Sequence, residues 1–154
     1  ATLTYDYATK AAPLICVRDP LKQGVVSCPT QQTLTPQVKA PLGIAKIEKT
    51  LLRVSEGQAR LRVKIYLKNQ ISNQGKLKLS VGGEDNKIYV QEVSFSGIQL
   101  NCDAENNILE IKTEKVLSCS GIVNVDGVIE HPLNIYLLYA VEITKKHGLT
   151  IEEE

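Results

Sequence analysis

The sequence predicts an all-β protein, and three observations carry that prediction. The clearest apolar segments alternate strictly with a period of two, turn residues recur between them at short intervals, and helical periodicity is nowhere sustained. Many short strands separated by such turns argue for two packed sheets, in an immunoglobulin-like β-sandwich of about seven or eight strands. An extended, disulfide-looped N-terminal segment precedes it. At 154 residues the chain can bury one core and carry an extension. We place an N-terminal strand or hairpin extension and a Pro-rich linker over 1–41, and the sandwich over 42–154.

Near the N-terminus, Leu3, Tyr5 and Tyr7 share one strand face, and Thr2, Thr4 and Asp6 share the other. This strand has two readings. It is a hairpin partner for Leu14 to Val17, or it adds to the edge of a neighbouring copy and makes head-to-tail contacts that grow into a filament. Pro29, Pro36 and Pro41 then remove backbone donors, so the stretch between Cys28 and Leu42 reads as a linker or a laid-down extended segment. From Ile44 to Val54 the apolar parity changes, with Ala45 and Ile47 on one face and Leu52 and Val54 on the other. A bulge or a strand crossing between sheets is expected there.

The strongest strand runs from Gln58 to Lys68. Ala59, Leu61, Val63, Ile65 and Leu67 alternate with Arg60, Arg62, Lys64, Tyr66 and Lys68, as a sheet with one buried and one wet face requires. Leu77, Leu79 and Val81 repeat the pattern. Further strands are expected at Lys87 to Phe95, Ile98 to Cys102, Ile108 to Thr113, Val116 to Val125 and Leu133 to Thr144. Turns fall at Ser55 to Gly57, Asn73 to Gly75, Gly82 to Asn86, Ser96-Gly97 and Asp126-Gly127, the last suited to a type I′ hairpin. In the final strand the odd positions from Leu133 to Ile143 make a core face, yet Tyr136, Leu138 and Ala140 make the even face apolar too. That outer face at Tyr136 and Leu138 needs a cover, supplied by the linker, by the N-terminal segment or by another subunit.

Four cysteines form two local pairs, Cys16 with Cys28 and Cys102 with Cys119, without the short spacing of zinc or redox motifs. Three disulfide connectivities are open to four cysteines, and four free thiols are a further alternative. Local loop closure favours 16–28 and 102–119. Oxidised pairs imply an extracytoplasmic location or a hyperthermophile cytosol. No apolar run approaches the ~18 residues that span a bilayer, so we expect a soluble chain. It begins at Ala1 and not at an initiator Met, as a processed or trimmed product would.

A net charge of +1 leaves little global field to steer the chain to nucleic acid, and it tolerates self-association. Arg60, Arg62, Lys64, Lys68, Lys76 and Lys78 form a basic stripe if their two strands pair, tempered by Glu110 and Glu114. Six Tyr, one Phe and no Trp leave few stacking platforms for bases, so a solvated charged face is the simpler reading, with anionic surface polymers as an alternative partner. The acidic turn Glu84-Asp85-Asn86 and the pair Asp103, Glu105 lack the dense carboxylate alternation of a calcium loop, and we assign no metal and no cofactor. His131 and His147 sit at a strand start and in a turn. No nucleophile elbow, zinc-protease, P-loop or dinucleotide motif accompanies them, so no catalytic residues are assigned and an enzyme is not expected.

The strings "YDYATKAAPLICVRDP", "APLGIAKIEKTLLR", "ARLRVKIYLKNQ", "IQLNCDAENNILEIKTEKVLSCSG" and "HPLNIYLLYAVEI" together resemble a group of short archaeal exported proteins. The resemblance covers nearly the whole chain. It implies an N-terminal membrane segment, missing from this chain, a cysteine-containing extended region and a C-terminal Ig-like or CARDB-like β-sandwich. No active site comes with it. The expectation is therefore a non-enzymatic structural protein of the cell surface, a self-assembling extracellular filament subunit whose partners are other copies of itself. Attachment to the envelope would run through another component. A monomeric cell-surface binding module for a carbohydrate or protein ligand is the alternative.

Overall fold

A computed structural model of the chain describes residues 2–20, 27–36, 38–71 and 73–144. It contains twelve strands: β1 (Thr2–Ala11), β2 (Leu14–Arg18), β3 (Gln31–Leu34), β4 (Leu42–Ser55), β5 (Gln58–Asn69), β6 (Gly75–Lys78), β7 (Lys87–Phe95), β8 (Ile98–Gln99), β9 (Asn101–Cys102), β10 (Ile108–Glu110), β11 (Glu114–Asn124) and β12 (Val128–Thr144). Seven of them have five or more residues, and two of these, β1 and β2, come from the stretch expected as an extension; the others are short pieces. A single 3-10 turn spans Glu105–Asn107.

The strands form two antiparallel sheets. One has the order β1-β12-β7-β10, with β2 and β6 also on β12 and β8 on β7; the other has the order β3-β4-β5-β11-β9. Their inner faces build one core. Leu61, Val63, Ile65 and Leu67 of β5 meet Ile135, Leu137 and Tyr139 of β12, each 2% exposed or less. The alternation of β5 therefore sets its facing as the sequence predicts, because period two leaves each side chain only one of two sides.

β4 carries irregularities at both ends, while between Ile47 and Leu52 its register is unbroken and Leu52 lies on the outer face opposite Arg60. Its register on β5 slips between Ile44 and Lys46 and again between Arg53 and Ser55, so Ala45 and Val54 are exposed while Ile44, Ile47 and Leu51 are buried. Between β7 and β8 the two-residue loop Ser96-Gly97 has positive φ at both positions (51° and 78°), the type I′ geometry that matches strand twist. Asp126-Gly127 is different. It links β11 of one sheet to β12 of the other, so the expected hairpin is a crossover, and only Gly127 has positive φ.

Three further expectations are corrected. Thr2 to Thr9 and Leu14 to Val17 make no hairpin with each other; both pair with β12. The Leu77, Leu79, Val81 alternation stops at Lys78, leaving Leu79 half-buried and Val81 59% exposed, because the chain turns at Gly82-Gly83. Finally, β6 joins β12 and not β5, so Lys76 and Lys78 lie on a different sheet from Arg60 to Lys68 and no six-residue basic stripe forms. At the start of β6 a Cβ on Gly75 would run into the carbonyl oxygen of Glu142, which makes glycine necessary for that pairing. The N-terminal residues and the Pro-rich stretch supply β1, β2 and β3, the last an edge strand on β4.

Candidate assembly surface

β1 and β2 lie end to end along β12 in one unbroken register. Partners run from Thr2 opposite Thr144 to Ala11 opposite Ile135, and resume from Leu14 opposite Pro132 to Arg18 opposite Val128. Ala12-Pro13 interrupts the ladder without shifting it, and Leu133 N still donates to Pro13 O at 2.8 Å. Proline has no N–H to give the ladder, so the two pieces are separate strands of one ribbon. The far edge of β1 has no strand partner among the described residues.

The predicted contact residues Leu3, Tyr5 and Tyr7 share a face, opposite Ile143, Val141 and Tyr139. Leu3 is half-buried, while Tyr5 and Tyr7 are 43% and 44% exposed. The Tyr7 ring stacks on Tyr139 (centroids 6.2 Å apart, planes at 10°), and Tyr5 meets Tyr7 edge-on at 6.5 Å. Thr9 and Tyr139 then dive into the core. The Thr9 hydroxyl donates to Leu42 O (2.7 Å), and the Tyr139 hydroxyl accepts from Leu42 N (3.2 Å) and bonds Thr9 Oγ1 (2.8 Å). Burial raises the Tyr139 pKa, against the lowering effect of those hydrogen bonds, so the phenol is the neutral donor the triangle needs.

On the outer face of this sheet Tyr136 and Leu138 are both half-buried. Lys10 Nζ lies over the Tyr136 ring, 4.6 Å from its centroid. Leu138 lines a shallow groove of about 380 Å³ with Asp6, Leu79, Tyr89 and Ile108. The N-terminal strand thus contributes to this face. The Pro-rich stretch runs on the other sheet through β3.

Both disulfides are present, Cys16–Cys28 with Cα atoms 5.6 Å apart and Cys102–Cys119 at 3.9 Å. The first fastens β2 to the start of the Pro-rich stretch; the second joins directly opposed residues of β9 and β11. Paired cysteines fit an oxidising environment. Among the described residues no helix is long and apolar enough to cross a membrane.

Beside the first disulfide lies a group that the sequence reading passed over. Lys49 points inward from β4 at 1% exposure, donating from Nζ to Cys16 O at 2.9 Å with Cys16 Sγ at 3.4 Å. Burial, and secondarily the Arg18 charge, push its pKa down to about 8. Arg18 donates to Cys28 O at 2.6 Å and to Asp19 O at 3.3 Å, and the buried Asp19 accepts from Gly57 N at 3.3 Å. The readable signal was a lysine at core parity between Ile47 and Leu51.

The acidic turns are engaged locally. Asp85 pairs with Lys78 (2.7 Å) and Lys76 (3.5 Å), Glu84 with Lys87 (3.1 Å), and Asp103 Oδ1 accepts from Ser118 N (2.8 Å). His131 packs edge-on to Phe95 at 5.9 Å, and His147 lies outside the described residues. No family model, curated protein or solved structure matches the chain.

Proposed function

We propose that this is a non-enzymatic structural protein of the extracellular surface, whose copies assemble into a filament by adding β1 of one to β12 of the next. The single register shared by β1 and β2 carries this reading. Because the ladder breaks only at Ala12-Pro13, the ten residues of β1 can leave while β2 stays on its own β12, fastened by Cys16–Cys28. The same pairs re-form in trans, so exchange costs few contacts, which is the condition for domain swapping. Donor arm and acceptor edge are different surfaces, and a non-reciprocal exchange of this kind propagates instead of closing. The two disulfides and the exposed Tyr5 and Tyr7 suit an exported subunit. Electron microscopy of the concentrated full chain tests the reading: filaments are expected, and deleting Ala1 to Thr9 abolishes them while leaving a disulfide-bonded, folded domain.

A second reading is a monomeric cell-surface binding module for a carbohydrate or protein ligand. One observation favours it: within a single chain β1 already saturates its own β12. A full-length protein that stays monomeric at high concentration decides for it.

A further inference from the structure

The five-stranded sheet has an outer face whose charge is unbalanced at its centre. Along β5, Arg60, Arg62, Lys64 and Lys68 project outward on alternate residues, with Lys46 beside them on β4. Glu48 and Glu114 answer these five cations on the strands paired with β5, and one strand further out Asp103 lies opposite Ser118, where its carboxylate accepts the Ser118 N–H. Glu48 is already committed. It accepts the Tyr66 hydroxyl at 2.7 Å and pairs with Lys46 at 3.6 Å. Glu114 sits opposite Lys68. Among the described residues none of Arg60, Arg62, Lys64 and Lys68 makes a salt bridge. Cross-strand neighbours normally relieve such charge, since opposed unlike charges stabilise a sheet and like charges strain it.

Hydroxyls flank the middle of the row, whereas Arg60 lies between Leu52 and Ile122. Arg62 lies between Thr50 and Ser120, and Lys64 between Glu48 and Ser118. A strand places successive same-face side chains ~7 Å apart, so Arg60 to Lys68 make a row ~27 Å long of four cations with Tyr66 among them. Tyr66 is the only aromatic residue in these five strands, and Lys46 Nζ covers its ring at 4.5 Å. A single-stranded nucleic acid would find a cationic track without the stacking platforms it uses.

We propose that this face binds a linear acidic polysaccharide, laid along β5 with its carboxylates on Arg60, Arg62, Lys64 and Lys68 and its hydroxyls on Thr50, Ser118 and Ser120. The face belongs to the sheet that does not contain β1 and β12, so pairing of β1 with a neighbour's β12 does not use it.

Calorimetric titration of the full chain at low salt tests the proposal, with polygalacturonate as the uronate polymer, amylose as its neutral counterpart and oligothymidylate as a single-stranded nucleic acid. Polygalacturonate is expected to bind and to weaken steeply with salt, while amylose does not bind. A variant carrying Arg60→Gln, Arg62→Gln, Lys64→Gln and Lys68→Gln should lose about tenfold or more in affinity, because the attraction is a sum over the cations of one row acting on the polymer's carboxylates. A control with the same charge change elsewhere, Lys10→Gln, Lys39→Gln, Lys87→Gln and Lys112→Gln, should stay within about twofold. Absence of polygalacturonate binding, equal loss in the two variants, or a clear preference for oligothymidylate overturns it.

Discussion

The Tyr139 hydroxyl and the Thr9 hydroxyl lie 2.8 Å apart, and each also reaches the backbone of Leu42. Three strands meet at this point, β1 and β12 of one sheet and β4 of the other, so one polar triangle fastens the N-terminal strand and both layers. Tyr139→Phe leaves Leu42 N without its partner in the core, and Thr9→Val leaves Leu42 O likewise. Each should cost about 1–3 kcal/mol, because a buried polar group loses its bond without regaining water. Denaturant titration of both variants and of the double variant measures the outcome. The double variant should cost less than the two singles added, and strict additivity would mean the three groups do not act as a unit.

Lys49 makes stability depend on pH in a definite direction. Its folded pKa of about 8 lies below the ordinary 10.5, so the depressed pKa penalises the charged form that both states hold below 8. As pH rises beyond 8 the folded protein sheds this proton while the unfolded chain keeps it up to about 10.5, and stability climbs through that window. The full gain is on the order of 3 kcal/mol. Lys49→Met removes the desolvated cation but leaves Cys16 O without its donor, so its stability relative to the parent should be highest below pH 8. That relative stability should fall between pH 8 and 10. A constant difference across that range would show that Lys49 titrates normally.

Facing was legible in the sequence where partners were not. The alternation in β5 and the odd positions of β12 assign Leu61, Ile65, Leu137 and Tyr139 to the core because period two fixes a side. The same alternation says nothing about which strand lies beside which. Lys76 and Lys78 continue the pattern of Arg60 to Lys68 by eye, yet β5 and β6 belong to different sheets. Asp126-Gly127 has hairpin chemistry, but Val125 N bonds Gly57 O and Val128 pairs with Arg18, so neighbours distant in sequence decide the turn's role. The N-terminal apolar face at Leu3, Tyr5 and Tyr7 was visible. Its shared register with β2 was not, because collinearity depends on β12. The cysteine pairs were readable from spacing since each closes a short loop between adjacent segments.

The two faces of β5 should respond very differently to truncation. Leu61 is fully buried and Arg62 is exposed beside it. Leu61→Ala should cost about 2–5 kcal/mol by leaving a cavity between the sheets, whereas Arg62→Ala should stay within about 0.5 kcal/mol. Equilibrium denaturation in urea ranks the two. Comparable losses would mean that the outward face of β5 is not the wet one and that its side chains are assigned to the wrong sides.

The exchange of β1 is open to a direct chemical test. Thr4 and Glu142 are opposed across the β1–β12 ladder and both are half-buried, so cysteines at these positions can cross-link without displacing core side chains. A chain with Thr4→Cys and Glu142→Cys, oxidised while dilute, should lock β1 onto its own β12 and run as a monomer on a non-reducing gel. Concentrating it should produce no filaments. Mild reduction of the new bond should release the arm at Ala12-Pro13 and restore assembly, with β2 still held by its own pairing to β12 and by the less accessible Cys16–Cys28 bond. Reoxidation of the assembled form should then link each copy to the next, because Thr4→Cys of one chain now faces Glu142→Cys of another, and the gel should show a ladder of covalent multimers. If the locked monomer assembles as well as the parent, β1 is not the adhesive element. If reoxidised filaments give only monomers, the copies associate through another surface, and β1 stays on its own sheet throughout.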